Sequence, residues 1–322
     1  MIIDWEHHYL PEELWLKKGG KKGERAGFYV DGKIRAIMHP ELCDVEGKLK
    51  VMDAVGIDMA VLSMAGSDDN SPTFFDDCKV WNDQVSKLVK KYPKRFVGLT
   101  AIPPLGGQKA FDELKRAVES LGFKGIVVRS QVKGLSMDAK ELYPFYEKVV
   151  SLNIPLFIHP SGVPSGFSIL EAPYDLYRNL GRELDLIVAT TRIILSGLLD
   201  HFPDLKLVIS HKGGGIAAIR ERLVYKFDPP GKYGSLNRRP FDDYLDKMYF
   251  NLAGHYGGMN SVKFAVMTFR PSQILFGTDF PQDFMEAPMK IKTYIEDIKK
   301  LDLDKQSIEL ILGGNAQKLL RL

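Results

Sequence analysis

The segment Ile154-Pro155-Leu156-Phe157-Ile158 is a short apolar run that ends directly before His159. The same pattern recurs at Leu205-Lys206-Leu207-Val208-Ile209, and His211 follows it closely. Runs that are apolar at nearly every position are typical of parallel strands, because helices cover both faces of such a sheet. These two segments therefore predict a parallel sheet buried between helices, with a histidine near the carboxyl end of each strand.

Runs of this kind recur along the whole chain, separated by helix-like segments. Eight are candidate strands: Ile2–Asp4, Met59–Ser63, Phe96–Thr100, Gly125–Val128, Pro155–Ile158, Lys206–Ser210, Met248–Leu252 and Ile274–Gly277. The segments between them repeat apolar residues at spacings of three and four, as amphipathic helices do. They include Asp76–Lys91, Gln108–Leu121, Asp138–Ser151, Arg182–His201 and Ala287–Leu301. Eight such units predict a (β/α)₈ TIM barrel, with a doubly wound parallel sheet as the alternative.

No linker rich in proline, glycine or serine divides the 322 residues, so we expect one domain over residues 1–322. The longest part without a clear helix or strand pattern is residues 11–43, which we interpret as an irregular insertion after the first strand. A second irregular stretch, Ser161 to Tyr177, follows the fifth strand. In a barrel both would lie over the C-terminal face, where active sites form.

The composition is that of a globular protein, with 45% hydrophobic and 26% charged residues. The net charge of +3 is too small to indicate a general nucleic-acid or membrane-surface binder. No apolar run approaches the roughly 20 residues of a membrane helix. The two cysteines make no disulfide framework and the N-terminal segment turns polar too early for a signal peptide, so we expect a cytoplasmic protein.

Polar side chains collect at the carboxyl ends of the predicted strands. Glu6 and His8 stand two residues apart on the first strand and so share a face. Asp279 follows the eighth strand, and three more histidines follow the fifth, sixth and seventh: His159, His211 and His255. Oxygen and nitrogen ligands on one rim suit a single divalent ion with a coordination position left for water or substrate.

A structural interpretation of the same residues stays open at this point. Any single histidine at a strand end is more often a hydrogen-bonded structural residue than a ligand. The combination favours a metal, because buried carboxylates without partners are costly and one ion neutralises several of them. The glycine run Gly213 to Gly215 lacks the spacing of a phosphate-binding loop, so we expect a tight turn or a close approach of backbone to substrate.

Several motifs occur together in the order typical of one enzyme family. They are Ile3-Asp4-Trp5-Glu6-His7-His8-Tyr9-Leu10-Pro11, His159-Pro160-Ser161-Gly162, His211-Lys212-Gly213-Gly214-Gly215 and Gly277-Thr278-Asp279-Phe280-Pro281. With them the chain resembles the amidohydrolase-2 family over nearly its whole length. The resemblance is to the branch of metal-dependent TIM-barrel enzymes that includes aminocarboxymuconate-semialdehyde decarboxylase and γ-resorcylate decarboxylase.

The resemblance implies a zinc or manganese ion held by Glu6, His8, His159 and Asp279, with His211 beside it in a catalytic role. The first-strand motif is Glu-x-His where many members have His-x-His. The added carboxylate favours a harder ion such as manganese. The fourth strand ends in Arg129 and no lysine stands there to bridge two ions, so we expect a mononuclear site.

Two arginines and a histidine are candidates for substrate contact. Arg129, at the end of the fourth strand, could clamp a substrate carboxylate through two parallel hydrogen bonds, or could instead pair with a neighbouring loop. Arg222 stands at the spacing from His211 at which some members donate an arginine across a homodimer interface, although Arg220 is close enough to compete for this role. His255 departs from the members with which we compare it, and we expect it to face the substrate.

These features favour the non-oxidative decarboxylation of an aromatic or conjugated carboxylic acid. In this hypothesis Asp279 or His211 protonates the carbon that carries the carboxylate. The alternative within enzymes is metal-dependent hydrolysis of a lactone, ester or amide. A barrel that binds a partner without catalysis is the non-enzyme alternative, and retention of every proposed ligand argues against it.

Overall fold

The computed structural model describes residues 1–30, 33–66, 68–161, 170, 174–255 and 258–322. Eight parallel strands form one sheet in which each strand is hydrogen-bonded to the next along the chain. They are β1 (Ile3–Tyr9), β2 (Met59–Met64), β3 (Phe96–Thr100), β4 (Gly125–Arg129), β5 (Leu156–His159), β6 (Leu207–Ile209), β7 (Tyr249–Asn251) and β8 (Ile274–Leu275). Each predicted strand is present.

Hydrogen bonds between β1 and the chain at and after β8 bring the two edges of the sheet together. Trp5 N–H donates to the carbonyl oxygen of Phe276 at 2.9 Å, and His8 N–H donates to that of Phe280 at 2.7 Å. His7 and Phe280 are paired as in a parallel sheet. The sheet therefore closes into a TIM barrel, as predicted, and the doubly wound alternative is wrong.

A β-bulge in β1 separates an apolar barrel centre from a polar mouth. Asp4 pairs with Ala60 of β2 and His7 pairs with Leu62, so three residues of advance along β1 lie opposite two along β2. β1 therefore contains one extra residue. An extra residue inverts the alternation of side chains. Trp5 thus belongs to the apolar cluster of the barrel centre, while Glu6 and His8 reach the mouth. The other members of that cluster are Ile3, Met59, Val61, Val97, Leu99, Phe157, Val208, Leu275, Ala316, Leu319 and Leu320.

The α-helices of the described residues are Glu12–Lys17, Val45–Val55, Phe74–Lys91, Gly107–Glu119, Tyr143–Ser151, Arg182–Leu195, Leu198–His201, Arg220–Phe227, Phe241–Leu245, Asn260–Thr268, Lys290–Lys299, Lys305–Glu309 and Asn315–Leu320. The predicted helix Arg182–His201 is divided, because Gly197 adopts a left-handed conformation (φ 73°) between its two parts. None of these helices is long and apolar enough to cross a membrane.

Residues 11–43 are more ordered than the sequence pattern predicts. They contain the short helix Glu12–Lys17 and an antiparallel hairpin of strands Ala26–Val30 and Lys33–Met38. The sequence between these strands is Asp31-Gly32, a dipeptide typical of two-residue hairpin connections. This dipeptide is the feature from which the hairpin could have been predicted. Most of the second irregular stretch, residues 162–169 and 171–173, lies outside the described residues.

The seam between β1 and β8 depends on a buried carboxylate. Asp4 accepts hydrogen bonds from Thr278 N–H at 2.9 Å, from Thr278 Oγ1 at 2.6 Å and from His7 Nδ1 at 2.8 Å. His7 occupies the side of β1 opposite Glu6 and His8, as strand alternation predicts, and the bulge places Asp4 on that side as well. These contacts fix the turn that carries Asp279.

We expect Thr278→Val to lower the free energy of unfolding by about 1.5–3 kcal/mol, because valine keeps the shape but removes a hydrogen bond to a buried, charged carboxylate. Denaturant unfolding monitored by circular dichroism measures the change. Thr268→Val is the matched control, since its hydroxyl bonds only the Phe264 carbonyl of its own helix, and we expect a change within about 0.5 kcal/mol. Equal losses in the two variants would contradict this account of the seam.

Candidate functional site

Four side chains from distant parts of the sequence converge at the mouth of the barrel. Glu6 and His8 lie on β1, His159 ends β5, and Asp279 lies in the turn after β8. Each offers one ligand atom, and these four atoms all lie within 4.8 Å of one another. This spacing is compatible with coordination of one ion.

The two imidazoles of the cluster face each other through their Nε2 atoms, which are 3.3 Å apart. His159 Nδ1 lies 3.1 Å from the carbonyl oxygen of Pro160, which can only accept, so His159 donates there and Nε2 keeps its lone pair. His8 Nδ1 lies 2.9 Å from Ser63 Oγ. Bonds of this kind at the second ring nitrogen orient histidines that ligate metals.

Glu6 presents one carboxylate oxygen to the cluster and uses the other for anchoring. Its Oε2 accepts from Ser210 Oγ at 2.7 Å and from Asn251 Nδ2 at 2.6 Å. Its Oε1 lies 3.3 Å from His159 Nε2. Burial raises the pKa of Glu6, but the neighbouring imidazoles of His159 and His211 outweigh it and lower the pKa. The carboxylate is therefore anionic at neutral pH.

Asp279 is held in an uncommon backbone conformation. Its φ is +60°, in the left-handed region, and its N–H donates to the carbonyl oxygen of Glu6 at 2.8 Å. Its Oδ1 lies 2.8 Å from His8 Nε2. Burial would raise the pKa of Asp279, but hydrogen bonds from His211 and His8 lower it instead. Non-glycine residues in this conformation persist where surrounding contacts hold them, often at functional sites.

The cluster is rich in hydrogen-bond acceptors and poor in protons. The pKa of His159 falls to about 4, chiefly because the ring is buried, so this imidazole is neutral at neutral pH. Its Nε2 lone pair then shares a buried space with two carboxylates. A divalent cation satisfies all of these acceptors together, so the residues present fit a metal ion.

His211 stands beside the cluster with a different partner. Its Nδ1 lies 2.8 Å from Glu183 Oε1, while its Nε2 is 3.6 Å from Asp279 Oδ2 and 3.8 Å from Glu6 Oε1. Burial would lower the pKa of His211, but the charge of Glu183, the nearby Asp279 carboxylate and the hydrogen bond that His211 donates to Glu183 raise it well above the usual value. His211 is not among the four described residues whose ligand atoms lie within 4.8 Å of one another.

Sequence reasoning missed Glu183. It lies in the first turn of helix Arg182–Leu195 and meets His211 only through the fold. The backbone of Glu183 packs closely against Gly214. A Cβ atom at position 214 would lie 2.1 Å from the carbonyl oxygen of Glu183. The glycine run forms the tight turn that we expected as one alternative, with φ from 67° to 90° at Gly213, Gly214 and Gly215.

A cleft of about 530 Å³ opens next to the cluster, on the side of β6 and β7. His255 lies in its wall, where the ring stacks on Tyr294 at 4.0 Å between centroids and on Phe284 at 5.6 Å. Its contact with substrate stays a prediction. The charged and titratable residues that line the cleft are Arg178, Glu183, His211, Lys212 and His255.

The two candidate arginines occupy different places. Arg129 is half-buried, in register with His159, and donates from Nη1 to the carbonyl oxygen of Pro160 at 3.1 Å. Asp69 lies near it: burial raises the pKa of Asp69 to about 6, and the charge of Arg129 opposes the rise. Arg222 is exposed on helix Arg220–Phe227. Arg220 donates hydrogen bonds to the Asp242 carboxylate at 2.9 Å and to the carbonyl oxygen of Thr268 at 2.6 Å.

Comparisons with known proteins agree with this geometry. A 2-amino-3-carboxymuconate-6-semialdehyde decarboxylase from Dictyostelium discoideum is 26% identical, over 99% of this chain and 91% of that protein. A gamma-resorcylate decarboxylase from a Polaromonas species is 26% identical, over 99% of this chain and 98% of that protein.

A solved structure of a dihydroxybenzoic acid decarboxylase from Polaromonas, with bound manganese and the inhibitor 2-nitroresorcinol, is also similar. It has a TM-score of 0.80 and 25% identity, and the match covers 100% of this chain and 97% of that one. The model of the family Amidohydro_2, described as amidohydrolase, matches residues 3–322. The resemblance seen in the sequence motifs is confirmed, and the chain belongs to this amidohydrolase family.

Proposed function

We propose that the protein is a carboxy-lyase that removes CO₂ from an aromatic or conjugated carboxylic acid without oxidation. The observation that carries the proposal is the convergence of four ligand atoms within 4.8 Å beside a protonated histidine. The cluster provides a cation site, and His211 provides a proton next to it. Similar proteins with decarboxylase activity support the choice of reaction.

Glu6, His8, His159 and Asp279 would hold one divalent ion. Two carboxylates among the four ligands favour manganese over zinc, and the similar Polaromonas structure contains manganese. A divalent ion in this position supplies positive charge that polarises substrate oxygens. Ser63, Ser210 and Asn251 orient the ligands through the hydrogen bonds described above.

The chain's own residues bind the acid and move the proton. Arg129, at the rim beside His159, holds the substrate carboxylate. His211 is kept protonated by Glu183, and its Nε2 lies 3.6 Å from Asp279 Oδ2. His211 or Asp279 delivers a proton to the carbon that carries the carboxylate. The carbon–carboxylate bond then breaks, its electron pair restores conjugation, and CO₂ leaves. A lone pair of the carboxylate oxygen becomes the second C=O bond of CO₂. No electrons leave the substrate and its products, so the step needs no oxidant.

Hydrolysis of a lactone, ester or amide remains the alternative chemistry for such a site, but none of the similar enzymes described above is named for it. We also propose a cytoplasmic homodimer or higher homo-oligomer in which Arg222 reaches the cleft of the other subunit. Its exposure on helix Arg220–Phe227, and the commitment of Arg220 to Asp242, support the choice of Arg222 over Arg220.

A panel of hydroxybenzoates and lactones tests the proposed reaction. We expect manganese-loaded protein to release CO₂ from at least one acid, and Asp279→Asn to slow that release by about 100-fold or more, because a charged ligand and a proton-transfer group are both lost. A CO₂-coupled assay measures the rates. Turnover of lactones alone, or near-normal turnover by Asp279→Asn, would contradict the proposal.

Metal content distinguishes a ligand from a catalytic group. We expect His159→Ala to lose most of its metal, because the ring supplies a ligand atom. His211→Ala should keep nearly full occupancy while activity falls by roughly 10²–10⁴-fold, the usual contribution of a general acid or base. Elemental analysis of both variants decides the matter, and equal loss of metal in the two would make His211 a ligand instead.

The role of Arg129 is tested by its conservative replacement. We expect Arg129→Lys to raise KM for the acid several-fold, because lysine keeps the charge but loses the two parallel hydrogen bonds. Arg192→Lys is the matched control, since Arg192 forms a similar double contact with Asp138 on an exposed surface. Unchanged KM and kcat for Arg129→Lys would leave this arginine with a purely structural role.

A further inference from the structure

Asp185 is a buried carboxylate on helix Arg182–Leu195, two residues after Glu183. Only 2% of its surface is exposed. The ligand cluster does not explain this carboxylate, because Asp185 is not one of its four residues. Burying a carboxylate is costly unless hydrogen bonds compensate for the lost water, so its partners indicate what it holds in place.

Both oxygens of Asp185 accept hydrogen bonds from residues that directly follow β4. Its Oδ2 accepts from Ser130 Oγ, and its Oδ1 accepts from Gln131 Nε2. Ser130 Oγ in turn accepts from Ser161 N–H at 2.7 Å. An ionised carboxylate can only accept, so the hydroxyl hydrogen of Ser130 is directed at Asp185. A continuous chain of hydrogen bonds therefore runs from Ser161 through Ser130 to Asp185.

The peptide unit between Pro160 and Ser161 connects this chain to the site. A trans peptide unit is planar, so its C=O and its N–H point in opposite directions and turn together. Ser130 holds the N–H of this unit. The C=O is the Pro160 oxygen, which accepts from His159 Nδ1 at 3.1 Å and from Arg129 Nη1 at 3.1 Å. One oxygen thus orients both a candidate metal ligand and the arginine that we assign to the substrate.

Pairing of β4 with β5 does not by itself fix this peptide unit. Arg129 and His159 are partners in the sheet, and Ser130 N–H donates to the carbonyl oxygen of His159 at 2.9 Å. These bonds hold the backbone as far as His159, and the Pro160–Ser161 unit lies beyond them. The chain through Ser130 supplies the restraint there, and the charge of Asp185 strengthens it by polarising the Ser130 hydroxyl.

We infer that Asp185 is a positioning residue: through Ser130 it locks the Pro160–Ser161 peptide, whose oxygen directs His159 to the metal and Arg129 to the substrate. The inference rests on the proposed function for the role of Arg129, whereas the effect on His159 concerns metal binding alone. Because both groups share one acceptor, breaking the chain should impair metal binding and carboxylate binding together.

Two substitutions interrupt the chain at different points. Asp185→Asn removes the charge and keeps the shape, and Ser130→Ala removes the hydroxyl. We expect each to weaken manganese binding to chelator-treated protein about tenfold, the lower end of the loss usual when a supporting partner of a metal ligand is removed. Each should also weaken benzoate binding to manganese-saturated protein several-fold, since Arg129 loses its orientation. Electron paramagnetic resonance and calorimetry measure the two affinities without turnover.

Asp76→Asn is the matched control. Asp76 is an exposed acid in the first turn of helix Phe74–Lys91, so its replacement reproduces the loss of a carboxylate near a helix N-terminus. We expect it to change neither affinity. The double variant Asp185→Asn/Ser130→Ala should lose no more than the weaker-binding single variant, because both substitutions break one chain.

Nitrogen-15 NMR of metal-free protein with labelled histidines adds a signature of orientation. In the wild type the proton of His159 should reside on Nδ1, where Pro160 accepts it. In Asp185→Asn and Ser130→Ala the ring should show a mixture of both tautomers. His159→Ala assigns the signal.

Unchanged affinities for manganese and benzoate in both single variants would overturn the inference, and a lower free energy of unfolding alongside would leave Asp185 as an anchor of its helix. Losses that add in the double variant would overturn it as well, because they would show two independent roles. If Asp185→Asn does not fold, Ser130→Ala decides between these outcomes. Failure of the proposed reaction is detected separately: a protein that responds as expected in both affinities but releases no CO₂ from any acid would keep the positioning chain and lose the assigned reaction.

Discussion

The hydrogen bond from Asp279 N–H to the carbonyl oxygen of Glu6 is the contact on which the site depends. It joins the first strand of the barrel to the turn after the last one, and it brings two carboxylates to one place. Two buried carboxylates repel each other, so the closed barrel is stable only if positive charge accompanies them. A metal ion held by the four ligand atoms would meet this requirement on one side, and His211 meets it on the other.

Two histidines on neighbouring strands acquire opposite protonation states from their partners. His159 donates to a carbonyl oxygen, and burial lowers its pKa to about 4, which leaves a neutral ligand. His211 is buried more deeply, but Glu183 raises its pKa well above the usual value. In the proposed function, the same side chain therefore serves as ligand in one position and as proton carrier in the other. The different partners at Nδ1 account for the two protonation states.

Much of the fold was predictable, because several barrel strands are short, almost wholly apolar runs of the kind found in parallel strands covered on both faces. The convergence of Glu6, His8, His159 and Asp279 followed from their places at strand ends, since parallel strands end on one rim. Local patterns could not predict features that arise from contacts distant in sequence. The bulge in β1, the pairing of Glu183 with His211 and the burial of Lys212 are of this kind. A lysine after a histidine is indistinguishable in sequence from a solvated one, and only the left-handed turn places it inside the cleft.

Titration of chelator-treated protein with manganese tests the central claim, that the four ligand atoms at the barrel mouth form a divalent-cation site. Electron paramagnetic resonance distinguishes bound from free manganese and so gives the stoichiometry directly. We predict about one tight site per chain in the wild type and loss of that site in Glu6→Gln. A wild-type protein that binds no manganese, or a Glu6→Gln variant that binds it with unchanged affinity, would contradict the account.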